Sequence, residues 1–250
     1  MKFTAIIPAR YASSRFPGKP LALLGNRPVI EHVYRRVAAV IPDAVVATDD
    51  DRIFRAVESF GGRAVMTSPA HRSGTDRCRE AADNIGTDAD VIINVQGDEP
   101  FIAASQLETL MACFDAADVD IASLARPFDA SRGYDALADP NLVKVVMGND
   151  RRALYFSRSV IPYVRDAERR RTLEGTEFFT HVGVYAYRRE VLDALASLPP
   201  AALETAESLE QLRWLSAGYT IRMGLTTAPT IGIDTPADLE AAREYFKTHN

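Results

Sequence analysis

Cysteine is nearly missing from this 250-residue sequence: two occur, Cys78 and Cys113, each inside a helix-like pattern. That argues against a disulfide framework and for a reducing, cytoplasmic setting. Histidine is scarce as well, with four scattered residues, so a structural zinc site is not expected. No apolar run approaches the roughly 20 residues that span a bilayer, and no membrane association is expected. One lysine and then a strand-like run open the chain without a small-residue cleavage site, which does not read as a signal peptide. The formal net charge of -5 leaves no broad basic face of the kind that binds nucleic acid. Repeats and low-complexity tracts are absent.

The composition is that of a soluble globular protein, 47% hydrophobic and 25% charged. Charge is distributed unevenly, however. Acid is missing from the first thirty residues, where Lys2, Arg10, Arg15, Lys19 and Arg27 all precede Glu31. Such a patch suits a small polyanion better than a polymer.

Strands and helices alternate through the first half. "FTAIIPA" (3–9), "AVVATD" (44–49), "RAVM" (63–66), "DVIINVQGD" (90–98) and "DIASLA" (120–125) read as strands. Between them, helical spacing predicts helices over 29–41, 51–60, 75–85 and 105–114, the last with Ser105 and Glu108 as a capping box. This rhythm predicts one 1–250 α/β domain, a doubly wound, mostly parallel sheet, with ligands beyond the carboxyl ends of the strands. From 126 to 190 the strands "LVKVVM", "ALYFS" and "HVGVYAYR" are separated by loops rather than helices. They predict an antiparallel insertion forming a lid or a dimer surface. A helix over 203–216, a strand at "YTIRMGL" and a last helix capped by Thr235, with Pro236 and Asp238 following, complete the chain.

Three segments could carry chemistry. "RYASSRFPGKP" (10–20) follows the first strand with Arg10, Arg15 and Lys19 among small residues. It is either a solvated turn or a phosphate cradle in which arginines fork onto oxygens and lysine adds a point charge. It lacks both the GxxxxGK[ST] and GxGxxG patterns, which disfavours hydride chemistry. Asp98 ends the strongest strand and is either a turn cap or a Mg²⁺ ligand. Glu99, next door, is a weaker candidate for the same ion, because its position points it the opposite way. Asp234 in "GIDTPADL" is either a helix-start residue or a second carboxylate for the same ion. "HRSGTDR" (71–77) offers Ser73, Gly74 and Thr75 to a base or sugar and Arg77 to an anion, or serves only as an N-cap. His71, His181 and Tyr185 could equally be satisfied polar groups, and His32 and His249 are expected at the surface or in packing.

Taken together, "IIPARYASSRFPGKPL", "HRSGTDR", "INVQGDEP", "DPNLVKVV", "ALYFSRSVIP", "FFTHVGVYAYR", "LEQLR" and "GIDTPADL" resemble the 3-deoxy-manno-octulosonate (Kdo) cytidylyltransferases, the CMP-Kdo synthetase family. The segments occur in the family's order over nearly the whole chain. Phe16, where the family often has Leu, and "GNRP" (25–28), where "GKP" is common, are small departures. The resemblance implies a homodimeric cytoplasmic enzyme of nucleotide-diphospho-sugar transferase type that activates Kdo with CTP for lipopolysaccharide synthesis. It implies that Arg10, Arg15 and Lys19 bind triphosphate, and that Asp98 and Asp234 ligate Mg²⁺. Pro8, Ala9, Arg10, Ser13, Ser73, Gly74 and Thr75 would line the cytidine pocket. Arg77, Gln96, Arg158, His181, Tyr185, Glu210 and Gln211 would surround the sugar. Activation of another acidic sugar (a sialic acid or amino-Kdo), or nucleotide binding without turnover, are the alternatives.

Overall fold

The computed structural model describes residues 1–12, 15–71, 73–165 and 171–249. Ser13, the "DAERR" part of the charged loop and the His249 side chain fall outside the described residues. In chain order the elements begin with β1 (Phe3–Ala9), β2 (Leu23–Leu24), β3 (Arg27–Pro28), α1 (Val29–Ala38) and β4 (Ala44–Thr48). Next come α2 (Asp51–Ser59), β5 (Ala64–Met66), α3 (Gly74–Ile85), β6 (Val91–Asn94), α4 (Ala104–Ala112) and β7 (Ile121–Pro127). They are followed by α5 (Gly133–Leu137), β8 (Lys144–Met147), β9 (Ala153–Ser157), β10 (Phe179–Arg188) and α6 (Arg189–Leu195). The last are α7 (Ala202–Glu207), α8 (Gln211–Ser216), β11 (Ile221–Leu225) and α9 (Pro236–His249).

The chain divides into two units. Unit one comprises Met1–Glu108, Ala186–Ala196 and Pro229–Asn250; unit two comprises Thr109–Tyr185 and Ser197–Ala228. In unit one, β1 pairs in parallel with β4 and β6, and β4 with β5. Thr4 to Ala9 of β1 and all of β4 and β6 are buried, as expected for parallel strands covered on both faces. Asp50 caps α2 by accepting from the Arg52 amide, Ser73 caps α3 by accepting from the Asp76 amide, and Gly86 ends α3 at φ +61°. Thr235 and Asp238 cap α9 reciprocally: the Asp238 amide donates to Thr235 Oγ1 (3.2 Å) and the Thr235 amide to Asp238 Oδ2 (2.8 Å). Leu239 and Ala242 of α9 join Leu24, Val29, Phe101 and Ile233 in a buried cluster that anchors the segment carrying Asp234.

In unit two, β11 is parallel to β7, while β8 is antiparallel to both β9 and β10. The mostly parallel α/β expectation holds, as does antiparallel pairing within 126–190. Three details differ. A short helix, α5, interrupts the insertion, where only loops were expected between strands. The helix expected over 203–216 is two helices broken at Ser208, which takes a left-handed φ of 51°. Arg158 explains the break: its Nε donates to Glu207 O (2.6 Å) and its Nη2 to Ser208 O (3.3 Å), satisfying carbonyls that a continuous helix would use itself. Finally, α4 starts one residue earlier than Ser105, and its cap is the Ala103 amide donating to Gln106 Oε1 (2.9 Å) rather than a Ser105–Glu108 box.

Candidate functional site

The parallel register of unit one brings three strand ends together. Ala9 of β1 lies opposite Thr48 of β4, and Ile6 opposite Asn94 of β6. Arg10, Asp49 and the Gln96–Asp98 turn therefore leave the sheet at one edge. Gly97 is required there, because a Cβ would come within 2.8 Å of Pro8 O. The basic segment turns back at Gly18, whose amide donates to Tyr11 O (2.9 Å) in a left-handed conformation of φ +72°. That turn delivers Lys19, only 9% exposed, to the acids.

Lys19 Nζ donates to Asp98 Oδ2 at 2.5 Å and to Asp234 Oδ1 at 3.2 Å, and Arg15 Nη2 lies 3.1 Å from the same Asp234 oxygen. The Ile233 amide donates to Asp98 O (3.0 Å), which fixes the two acid-bearing segments side by side. Asp98, Asp234, Arg15 and Lys19 thus form one cluster. Arg15, Lys19 and Asp98 of that cluster border a cavity of about 340 Å³ lined also by Pro8, Ala9, Arg10, Ser73, Gly74, Arg77 and Gln96; Asp234 is not among its lining residues. A volume of that order suits a small-molecule ligand. Thr75 is buried at 2% exposure and is not among the lining residues.

Two further acids belong to this neighbourhood: Glu99, a weaker candidate from the sequence, and Asp49, which the sequence did not single out. Glu99 was expected to point away, but its carboxyl sits in the field of Asp98 and Asp234. Burial, reinforced by those two carboxylates, pushes its pKa up to about 8 against the opposing pull of Lys19. Strand alternation fails here because a turn intervenes, closed by the Glu99 amide donating to Gln96 O (3.2 Å). Asp49, just past β4, accepts from Arg77 Nη2 (2.9 Å) and lies 3.7 Å from Arg10 Nε. An acid immediately after an apolar strand was the available signal for Asp49. Arg77 is 1% exposed and its other nitrogen donates to Thr67 Oγ1 (2.5 Å). His71 pairs with Glu80, and His32 is a packing residue whose ring nitrogen meets Leu24 O (2.8 Å).

The remaining sugar-directed residues lie in unit two. His181 Nε2 meets Ser123 Oγ (2.9 Å), and its ring contacts Phe156 and Tyr185. Desolvation lowers its pKa to about 4. Tyr185 packs edge-on against Trp214, and burial, with Glu210 nearby, raises its hydroxyl well above the ordinary range. Glu210 accepts from Arg213 Nη2 (2.7 Å), and Gln211 is buried with its Nε2 lacking a hydrogen-bond partner. Arg158 directs its guanidinium at the carbonyls of Glu207, Pro140 and Ser208.

Among the described residues no group of three or more His, Cys, Asp or Glu side chains is placed to hold a metal. Two neighbouring carboxylates, one of them lining the cavity, are nevertheless a suitable donor set for Mg²⁺, which takes one or two carboxylates and completes its shell with phosphate and water. Asp98 and Asp234 already enclose one cation, the Lys19 ammonium.

A parallel α/β sheet with an arginine–lysine turn facing paired acids at its carboxyl edge defines a nucleotide-handling transferase. Comparison with known proteins makes the assignment specific: residues 4–221 match the cytidylyltransferase family, and the chain belongs to it. It is 55% identical to a 3-deoxy-manno-octulosonate cytidylyltransferase of Phocaeicola vulgatus, over 99% of this chain and 98% of that protein. It is 54% identical to the protein of the same name from Bacteroides thetaiotaomicron, over the full length of both. A solved CMP:2-keto-3-deoxy-manno-octonic acid synthetase complexed with CTP superposes with a TM-score of 0.91 at 44% identity, covering 100% of both chains. A cytidylyltransferase from Leptospira borgpetersenii, with a TM-score of 0.65 at 15% identity, covers 100% of this chain and 88% of its own and shares the fold alone.

Proposed function

We propose that this protein transfers CMP from CTP to the anomeric 2-hydroxyl of Kdo, releasing pyrophosphate and supplying CMP-Kdo for lipopolysaccharide synthesis. The observation that carries the reading is full-length identity of 54–55% to enzymes of that name, joined to a cation turn in direct contact with two acids at the edge of a cavity that Arg10, Arg15, Lys19 and Asp98 line. The sugar hydroxyl attacks the α-phosphorus in line, and the bond to the β-phosphate oxygen breaks as the hydroxyl proton departs. Arg10, Arg15 and Lys19 hold the triphosphate and receive the charge that accumulates on the leaving pyrophosphate. The Arg15–Asp234 pair, with both side chains more than half exposed, is weak enough for phosphate to displace. Gly74 and Ser73 at the start of α3, with Pro8 and Ala9 at the end of β1, line the space for the cytidine. Asp98 and Asp234 would hold Mg²⁺, which when bound neutralises phosphate oxygens and lowers the pKa of a coordinated hydroxyl.

The same reading carries a homodimer and a cytoplasmic location. No helix among the described residues is long and apolar enough to cross a membrane. Purified protein given CTP, Mg²⁺ and a panel of acidic sugars tests the function. Pyrophosphate release with Kdo is expected. Release only with a sialic acid or an amino-Kdo would reassign the substrate, and CTP binding without release would make the chain a nucleotide-binding module. Light scattering after size exclusion reads the oligomeric state.

A further inference from the structure

We infer that Arg52 is a positioning residue for the phosphate-binding turn, acting through the ring of Tyr11. Its guanidinium carbon lies 3.3 Å from the Tyr11 ring centroid, a close cation–π stack. Asp50 aims it there, accepting from Arg52 Nε (2.9 Å) and Nη2 (2.6 Å) while capping α2 through the Arg52 amide (2.9 Å). Gly18 lies against the same ring, close enough that a Cβ at Gly18 would sit 3.1 Å from Tyr11 Cε2 and Cζ, and its amide bonds Tyr11 O. Tyr11 is therefore held both by the start of α2 and by the residue directly before Lys19. Neither Arg52 nor Tyr11 is among the cavity's lining residues. Arg52 is 58% exposed, so removing it empties no core.

The far side of the turn is held by Phe16, packed against the buried cluster, and by Lys19 and Arg15 on the two acids; Tyr11 and its guanidinium hold the near side. Gly18 has the widest backbone freedom of any residue, and Ala12 offers no long side chain. A ring pinned by a guanidinium restricts where Lys19 emerges before any ligand arrives, and so reduces the ordering cost of binding.

The inference rests on the triphosphate reading of this turn, and the test separates the two. With active enzyme, Arg52→Ala is expected to raise KM for CTP by about 5- to 10-fold with kcat within about 2-fold, and Arg52→Lys, which keeps a cation on the ring, to restore much of the loss. Tyr11→Ala should reproduce the effect, and the double variant should be no worse than Tyr11→Ala alone. Losses that multiply in the double variant, or an unchanged KM in Arg52→Ala, would overturn the inference. Hydrogen exchange at the Gly18 and Lys19 amides, measured without nucleotide, decides it independently of turnover. Faster exchange in Arg52→Ala is expected, and unchanged exchange refutes it. Protein that fails to turn over CTP with any sugar, yet shows that faster exchange, would sink the functional reading and leave the clamp standing.

Discussion

In unit one, Lys19 and Arg15 meet the side chains of Asp98 and Asp234 beside a cavity; in unit two, Lys144 and Arg158 meet backbone carbonyls. Lys144 is fully buried, and its ammonium donates to the oxygens of Asp139 (3.0 Å), Leu142 (2.6 Å) and Arg158 (2.5 Å). The residue types are the same, but the partners differ in kind. A carboxylate on a rotatable side chain can exchange its cation for another, and a phosphate can take the cation in turn. A carbonyl fixed in the main chain offers no such exchange. Lys19 and Arg15 are therefore available to a ligand, whereas Lys144 and Arg158 hold loops in place.

The sharpest way to break that contrast is to treat both sets alike. Asp98→Asn should lower the rate of pyrophosphate release by roughly 10²- to 10³-fold, the scale of losing one fixed electrostatic group, with CTP binding still detectable by calorimetry. Near-normal turnover would remove Asp98 from the chemistry. Lys144→Met should leave CTP affinity within about 2-fold but destabilise the protein by roughly 2–3 kcal/mol, because buried carbonyls lose charge-assisted donors. Chemical denaturation measures the latter, and an unchanged midpoint would show that the lysine is not a structural pin.

Smaller and opposite pH effects separate the units further. His181, with its pKa near 4 against 6.5 for a free ring, contributes stability that is complete above pH 6.5 and lost as pH falls through 4. Glu99, near 8 against an ordinary 4.5, contributes stability that is complete below pH 4.5 and lost as pH rises through 8. Melting temperatures against pH, with chelator present, should show a flattened acid limb in His181→Gln and a flattened alkaline limb in Glu99→Gln. Identical curves for variant and parent would show that neither environment perturbs its group.

Much of unit one was legible in the sequence because its signals are local. Continuous apolar strands, Asp50 and Ser73 before their helices, Gly86 after one, and the Thr235–Asp238 pair each act within a few residues of where they stand. The basic turn was legible for the same reason, since three cations without a neighbouring acid need an outside partner. What escaped depended on distant residues. The 203–216 helix has helical spacing throughout, and only Arg158, remote in sequence, explains its break at Ser208. Glu99 was misplaced because strand alternation was carried past Asn94, where β6 ends, into a turn. The partners that Arg158 and Arg77 make within the chain, Glu207 O, Ser208 O, Asp49 and Thr67, lie on other segments that motif spacing does not reveal.

The main-chain bond from the Ile233 amide to Asp98 O has a further consequence. Two acids far apart in the chain are kept as neighbours by a contact that involves neither carboxylate. The long stretch of chain between them can therefore change in length or sequence without altering that contact, whereas a cut between Ile233 and Asp234 would separate the second acid from the amide that anchors it.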